Sequence, residues 1–121
     1  GASLPGNAAE DSFNILPVLL GEARKPVRDH TLHQTMSLAL AIRRGEWKYL
    51  DHKGSGGNNY QRGHLKEYAL PDTAPDTPGQ LYNLATDPRE ENNLVAEKPE
   101  IARSLRTKLE EFKSSGRSAP R

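Results

Sequence analysis

There is no cysteine anywhere in the chain. That excludes a disulfide framework, a thiolate-bound zinc and a cysteine nucleophile, together with any residue made from cysteine, but it leaves the cellular compartment open. Nor is there an excess of charge of either sign, since 17 Lys and Arg stand against 16 Asp and Glu for a formal net charge of +1. So near-neutral a balance offers no sequence-wide attraction to a phosphate backbone or an acidic bilayer, and neither nucleic acid nor membrane is an expected partner. No apolar run approaches the roughly 18 residues of a membrane span. The opening Gly1-Ala2-Ser3-Leu4-Pro5-Gly6 lacks the basic start and apolar core of an export signal. Hydrophobic residues make up only 34% of the 121 positions. That length is about one domain's worth, and a core so thin suits a domain that leans on a partner surface for stability.

What is present divides into a linker or tail over residues 1–10, a folded body over 11–114 and a second tail over 115–121, of which 117–121 are expected to fray. Asp11-Ser12 caps a short core-packing helix running through Phe13, Ile15, Leu16, Leu19 and Leu20 to Gly21, limited to a turn or two by Pro17. From Thr31 to His52 the period changes to two, with Leu32, Gln34, Met36, Leu38, Leu40 and Ile42 on one side. This pattern predicts one long strand, with a break allowed near Ser37. Gly45, which tolerates positive φ, then permits a tight reversal into a returning strand Trp47-Lys48-Tyr49-Leu50-Asp51. Residues 53–79, with Gly54-Ser55-Gly56-Gly57 and Pro71, Pro75 and Pro78, are too punctuated for a regular element and read as a loop, either functional or mobile. Gln80–Leu84 is a short strand, and Asp87-Pro88 favours a turn. The strongest helix signal follows Pro99, where Ile101, Leu105, Leu109 and Phe112 form a stripe that ends before Gly116.

Four histidines, His30, His33, His52 and His64, invite metal or acid–base chemistry. His30 and His33 are three apart, so on a strand they point to opposite faces and do not chelate one ion without a bulge. His52 and His64 fall in or beside the loop, and no metal ligand is assigned. His33 shares a face with small and polar Thr31, Thr35 and Ser37, so it looks out toward a substrate, a partner domain or solvent. The glycine-rich stretch lacks the Lys-Ser/Thr and following helix of a phosphate loop. No serine stands in a Gly-x-Ser-x-Gly frame and no carboxylate pair stands out, so no catalytic residue is assigned.

In order along the chain stand Leu16-Pro17-Val18-Leu19-Leu20-Gly21, then Ile42-Arg43-Arg44-Gly45-Glu46-Trp47-Lys48, then Leu81-Tyr82-Asn83-Leu84 through Asp87-Pro88-Arg89-Glu90-Glu91-Asn92-Asn93-Leu94, and a Pro-Glu helix. Each motif is weak alone, but the ordered set over about residues 11–114 resembles the C-terminal part of formylglycine-dependent sulfatases. Gly54–Gly57 looks closest to bacterial arylsulfatase A-like members. The resemblance implies an α+β fold in which a small antiparallel sheet of about four strands packs on the C-terminal helix, with a short N-terminal helix. It also implies a parent enzyme, a periplasmic or secreted sulfuric ester hydrolase, whose larger N-terminal domain carries calcium and a formylglycine made from a cysteine. With no cysteine, this chain is expected to be inactive alone, docked on that catalytic domain, with its loops lining the mouth of the pocket for a sulfated substrate. His33, Arg43, Asn58, Asn59 and Tyr60 are then the substrate-side candidates. Trp47 and Tyr49 are expected to pack against Leu105, Leu109 and Phe112, and Pro88 and Asn93 to shape the turn into the helix. The competing reading is an independent module that binds a protein or an anionic glycan. A free-standing enzyme using His33 as a base is a third.

Overall fold

The computed structural model describes residues 5–35, 38–53, 63–69 and 71–119. It is an α+β fold. Strands β1 (Thr31–Gln34), β2 (Leu40–Arg44), β3 (Trp47–Leu50) and β4 (Gln80–Asn83) form one antiparallel sheet in the order β1-β2-β3-β4. A short helix α1 (Leu16–Leu19) precedes the sheet, and a long helix α2 (Pro99–Ser115) follows it and crosses β2 and β3.

The hairpin at Gly45 forms where the sequence places it. Gly45 sits at φ +59°, and register runs from Arg44 opposite Trp47 to Ala41 opposite Leu50. The stretch from Thr31 to the Gly45 turn, expected as one long strand with a break allowed near Ser37, is two strands that fold back on each other, pairing Leu32 with Ile42 and Gln34 with Leu40. Thr35 drives the reversal. Its hydroxyl accepts from Ala39 N at 3.1 Å, its own N–H donates to Ala39 O, and Leu38 is held at φ +64°. Because the turn is flanked by strands of matching phase, the period of two runs through it undisturbed and hides it.

Register puts Leu32, Ile42, Tyr49 and Leu81 in one row on the face that meets α2. Ile42, Tyr49 and Leu81 join Ala102, Leu105 and Leu109 in the main core, with Leu32, Trp47, Ile101 and Phe112 packed around it. Each fully buried leucine there contributes about 1.5–3 kcal/mol. α2 begins with Pro99 in its first turn and closes at Gly116, whose φ of +65° lets its N–H reach Phe112 O at 3.0 Å. Lys113 in the last turn is bonded to Asp51 and Glu110, which raises its pKa in that order of importance.

Three further expectations change. α1 is a single turn whose N-cap is Ile15, not Asp11 or Ser12, and Leu16 N donates to Asn14 Oδ1 at 3.0 Å. It does not pack into the core, since Ile15, Leu16, Val18, Leu19 and Leu20 are all exposed, Leu19 by 72%. The loop after β3 contains a 3-10 helix, Gly63–Tyr68. Residues 117–119 do not fray: Ala119 is buried and donates to Glu10 O at 2.9 Å, and Ser118 N and Oγ both donate to Asp11 Oδ1.

Candidate functional site

The sheet face turned away from α2 carries two register rows, Thr31–Arg43–Lys48–Tyr82 and His33–Ala41–Leu50–Gln80. Its two halves differ. Toward β3 and β4, Leu50, Gln80 and Tyr82 are buried. Tyr82 Oη donates to Gln80 Oε1 at 2.5 Å, and Gln80 Nε2 donates to His52 O at 3.1 Å, so a wholly buried glutamine anchors the start of the 51–79 loop. Lys48 pairs with Glu90 at 2.6 Å in a half-buried ion pair, with Glu90 at φ +57°. That bond is a structural tie between β3 and the turn after β4.

Toward β1 and β2, Ala41 is still buried, but His33 and Arg43 are both exposed. Arg43 stands opposite Thr31 and His33 opposite Ala41, so the two are diagonal neighbours on one face, whose separation in an antiparallel pair is about 7–8 Å. Arg43 Nε donates to Gly45 O at 3.0 Å, which steadies the guanidinium at the hairpin. The structure thus brings these two candidates together. Asn58, Asn59 and Tyr60 lie outside the described residues. Leu50 and Gln80, where the 51–79 segment leaves and rejoins the sheet, share the row of His33, so the segment is rooted at the His33 end.

The remaining histidines do not join them. His30 is buried on the α2 side, its ring 4.4 Å from that of Phe112, with Nδ1 2.6 Å from Asp29 Oδ1. That hydrogen bond, and then charge from His30 and Arg44, holds the Asp29 carboxyl below its usual range despite partial desolvation. His52 Nδ1 faces Lys53 O, and His64 is exposed in the 3-10 helix. Among the described residues no three His, Asp or Glu side chains converge as a metal would require. An exposed arginine and imidazole on one sheet face can bind an anion or a hydroxyl. Neither has the oriented carboxylate partner that general-base chemistry uses.

Sequence reasoning passes over Gln80 and Asn93. Asn93 is buried, and its Oδ1 accepts from Leu81 N at 3.0 Å and Val95 N at 3.1 Å, while its Nδ2 reaches Asp72 Oδ1 and Gly79 O. The signal available was a polar amide at the edge of an apolar run, here read for Asn93 only as turn-shaping.

The arrangement is similar to part of a sulfatase. The sequence is 33% identical over 111 residues to an N-acetylgalactosamine-6-O-sulfatase of Bacteroides thetaiotaomicron, a match covering 92% of this chain and 20% of the relative. A solved structure from work on the metabolism of multiple glycosaminoglycans by the same organism superposes with a TM-score of 0.67 at 33% identity, over 93% of this chain and 22% of that one. No family model matches the chain. The chain therefore spans about a fifth of the length of the curated relative it matches.

Proposed function

We propose that this chain is the C-terminal, substrate-lining subdomain of a sulfuric ester hydrolase and carries no catalytic group of its own. The observation that carries the reading is the match of nearly the whole chain to a fifth of a sulfatase, in a chain without cysteine. The chain offers no cysteine as a formylglycine precursor, and the described residues offer no cluster of three acidic or histidine ligands for calcium. The described residues fit neither the cysteine-derived group nor a calcium ion. Both then belong to the N-terminal catalytic domain of a longer, periplasmic or secreted protein, on which this sheet and helix dock.

In that setting the half of the sheet that exposes His33 and Arg43 faces the substrate. Arg43 supplies a fixed positive charge for a sulfate or carboxylate, and His33 a hydrogen-bonding group beside it. The relative's substrate class makes a 6-sulfated N-acetylgalactosamine the first candidate. Hydrolysis of a chromogenic aryl sulfate and of N-acetylgalactosamine 6-sulfate, with calcium present, tests the reading on the 121-residue chain beside the longer protein. Turnover by the longer protein alone is expected. Turnover by the 121-residue chain refutes it, and silence from both favours a non-catalytic glycan-binding module.

A further inference from the structure

On the α2 side of the sheet, across from His33 and Arg43, an open cleft of about 870 Å³ lies between residues 25–30 and the last turn of α2 with 117–119. Its walls are partly apolar, with Phe13, Val27 and Phe112, but its charges are uneven: Lys25, Arg28, Lys108 and Arg117 face only Asp29 and Glu111. Both carboxylates are already engaged, Asp29 with His30 and Arg44, Glu111 with Lys108. Arg28 is instead placed 5.0 Å over the Phe13 ring, a contact that positions the cation without neutralising it. Arg117 is half-buried and its Nε is fixed on Ala119 O at 3.0 Å. The cleft also borders His30, 92% buried by its 8% exposure, whose Nε2 has no hydrogen-bond partner. A buried polar atom without a mate calls for a ligand or an ordered water.

We propose that this cleft is a second binding site for a sulfated sugar unit, with Lys25, Arg28 and Arg117 holding the sulfate and the Phe13–Phe112 wall taking the ring. The volume falls in the range of small-molecule sites, about 300–1,000 Å³, far more than a lone sulfate needs. The choice of a sugar rests on the sulfatase reading above, while the choice of an anion rests on the charges of the cleft alone.

The test is titration of the 15N-labelled 121-residue chain with N-acetylgalactosamine 6-sulfate, unsulfated N-acetylgalactosamine and sodium sulfate, followed by amide NMR. With the sulfated sugar, shifts at Phe13, Arg28, His30, Phe112 and Ser118 are expected, separate from any at His33 and Arg43, and much weaker ones there with the other two ligands. Arg28→Ala, an exposed position that leaves the fold intact, should weaken binding about tenfold, the scale of one lost charge-assisted bond, and His33→Ala should leave it unchanged. Equal shifts from both sugars, equal shifts from sulfate alone, shifts only around His33 and Arg43, or no shifts at millimolar ligand would each overturn the proposal. Sulfate-ester turnover by the longer protein without cleft binding removes this site alone. Cleft binding without turnover removes the sulfatase reading alone.

Discussion

The two faces of the sheet are built from the same four strands and do opposite things. Toward α2, the row Leu32, Ile42, Tyr49 and Leu81 is sealed by Leu105 and Leu109, so its side chains serve the fold. On the other side Ala41, Leu50, Gln80 and Tyr82 are buried, while His33 and Arg43 are exposed. A strand that alternates inward and outward can separate stability from binding residue by residue.

That division is broken most severely from the helix side. Leu109→Ala, at a fully buried position, should cost about 2–5 kcal/mol in chemical denaturation; a loss below 1 kcal/mol would mean the helix face is not the core. Asn93→Ala leaves the buried Leu81 N–H without its acceptor and should cost about 1–3 kcal/mol by the same measurement. Gly79→Ala sharpens the edge of the comparison, because an added Cβ would lie 2.8 Å from Tyr49 Oη and 3.0 Å from Leu50 O; a loss of about 1–3 kcal/mol is expected.

Alkaline pH probes the same packed side. Burial, and then charge from Asp51, raises the pKa of Tyr49, and bonds to Asp51 and Glu110 raise that of Lys113. Both groups bind their protons more tightly when folded. Their stabilising effect is therefore complete below the ordinary values of 10.0 and 10.5 and is lost as pH rises through the raised folded values. Thermal unfolding should show stability falling above about pH 10, more weakly in Asp51→Asn. The smallest effect is expected at Leu19→Ser on exposed α1, within about 0.5 kcal/mol in this chain.

The elements legible in the sequence are those whose signals are local and unopposed. α2 has a proline start, an apolar stripe and a glycine stop, and the β2–β3 hairpin has a glycine where positive φ is needed. The β1–β2 reversal was illegible because a leucine, Leu38, takes the left-handed conformation and a threonine hydroxyl stands in for the usual turn residues. α1 misled for a different reason. Apolar residues report that a surface will be covered, but not by which part of a protein, and nothing among the described residues covers Leu19 or Leu20. At the site, alternation alone placed His33 on the outward face, whereas the nearness of Arg43 depends on a register that only the turn at Thr35 sets.

Steady-state sulfate-ester hydrolysis by the longer protein carrying His33→Ala or Arg43→Ala tests the separation of the two faces most directly. The account predicts thermal stability within about 0.5 kcal/mol of the parent and a KM for sulfated sugar raised about tenfold with kcat little changed. Unchanged KM in both variants, or a loss of stability comparable to that of Leu109→Ala, would contradict it.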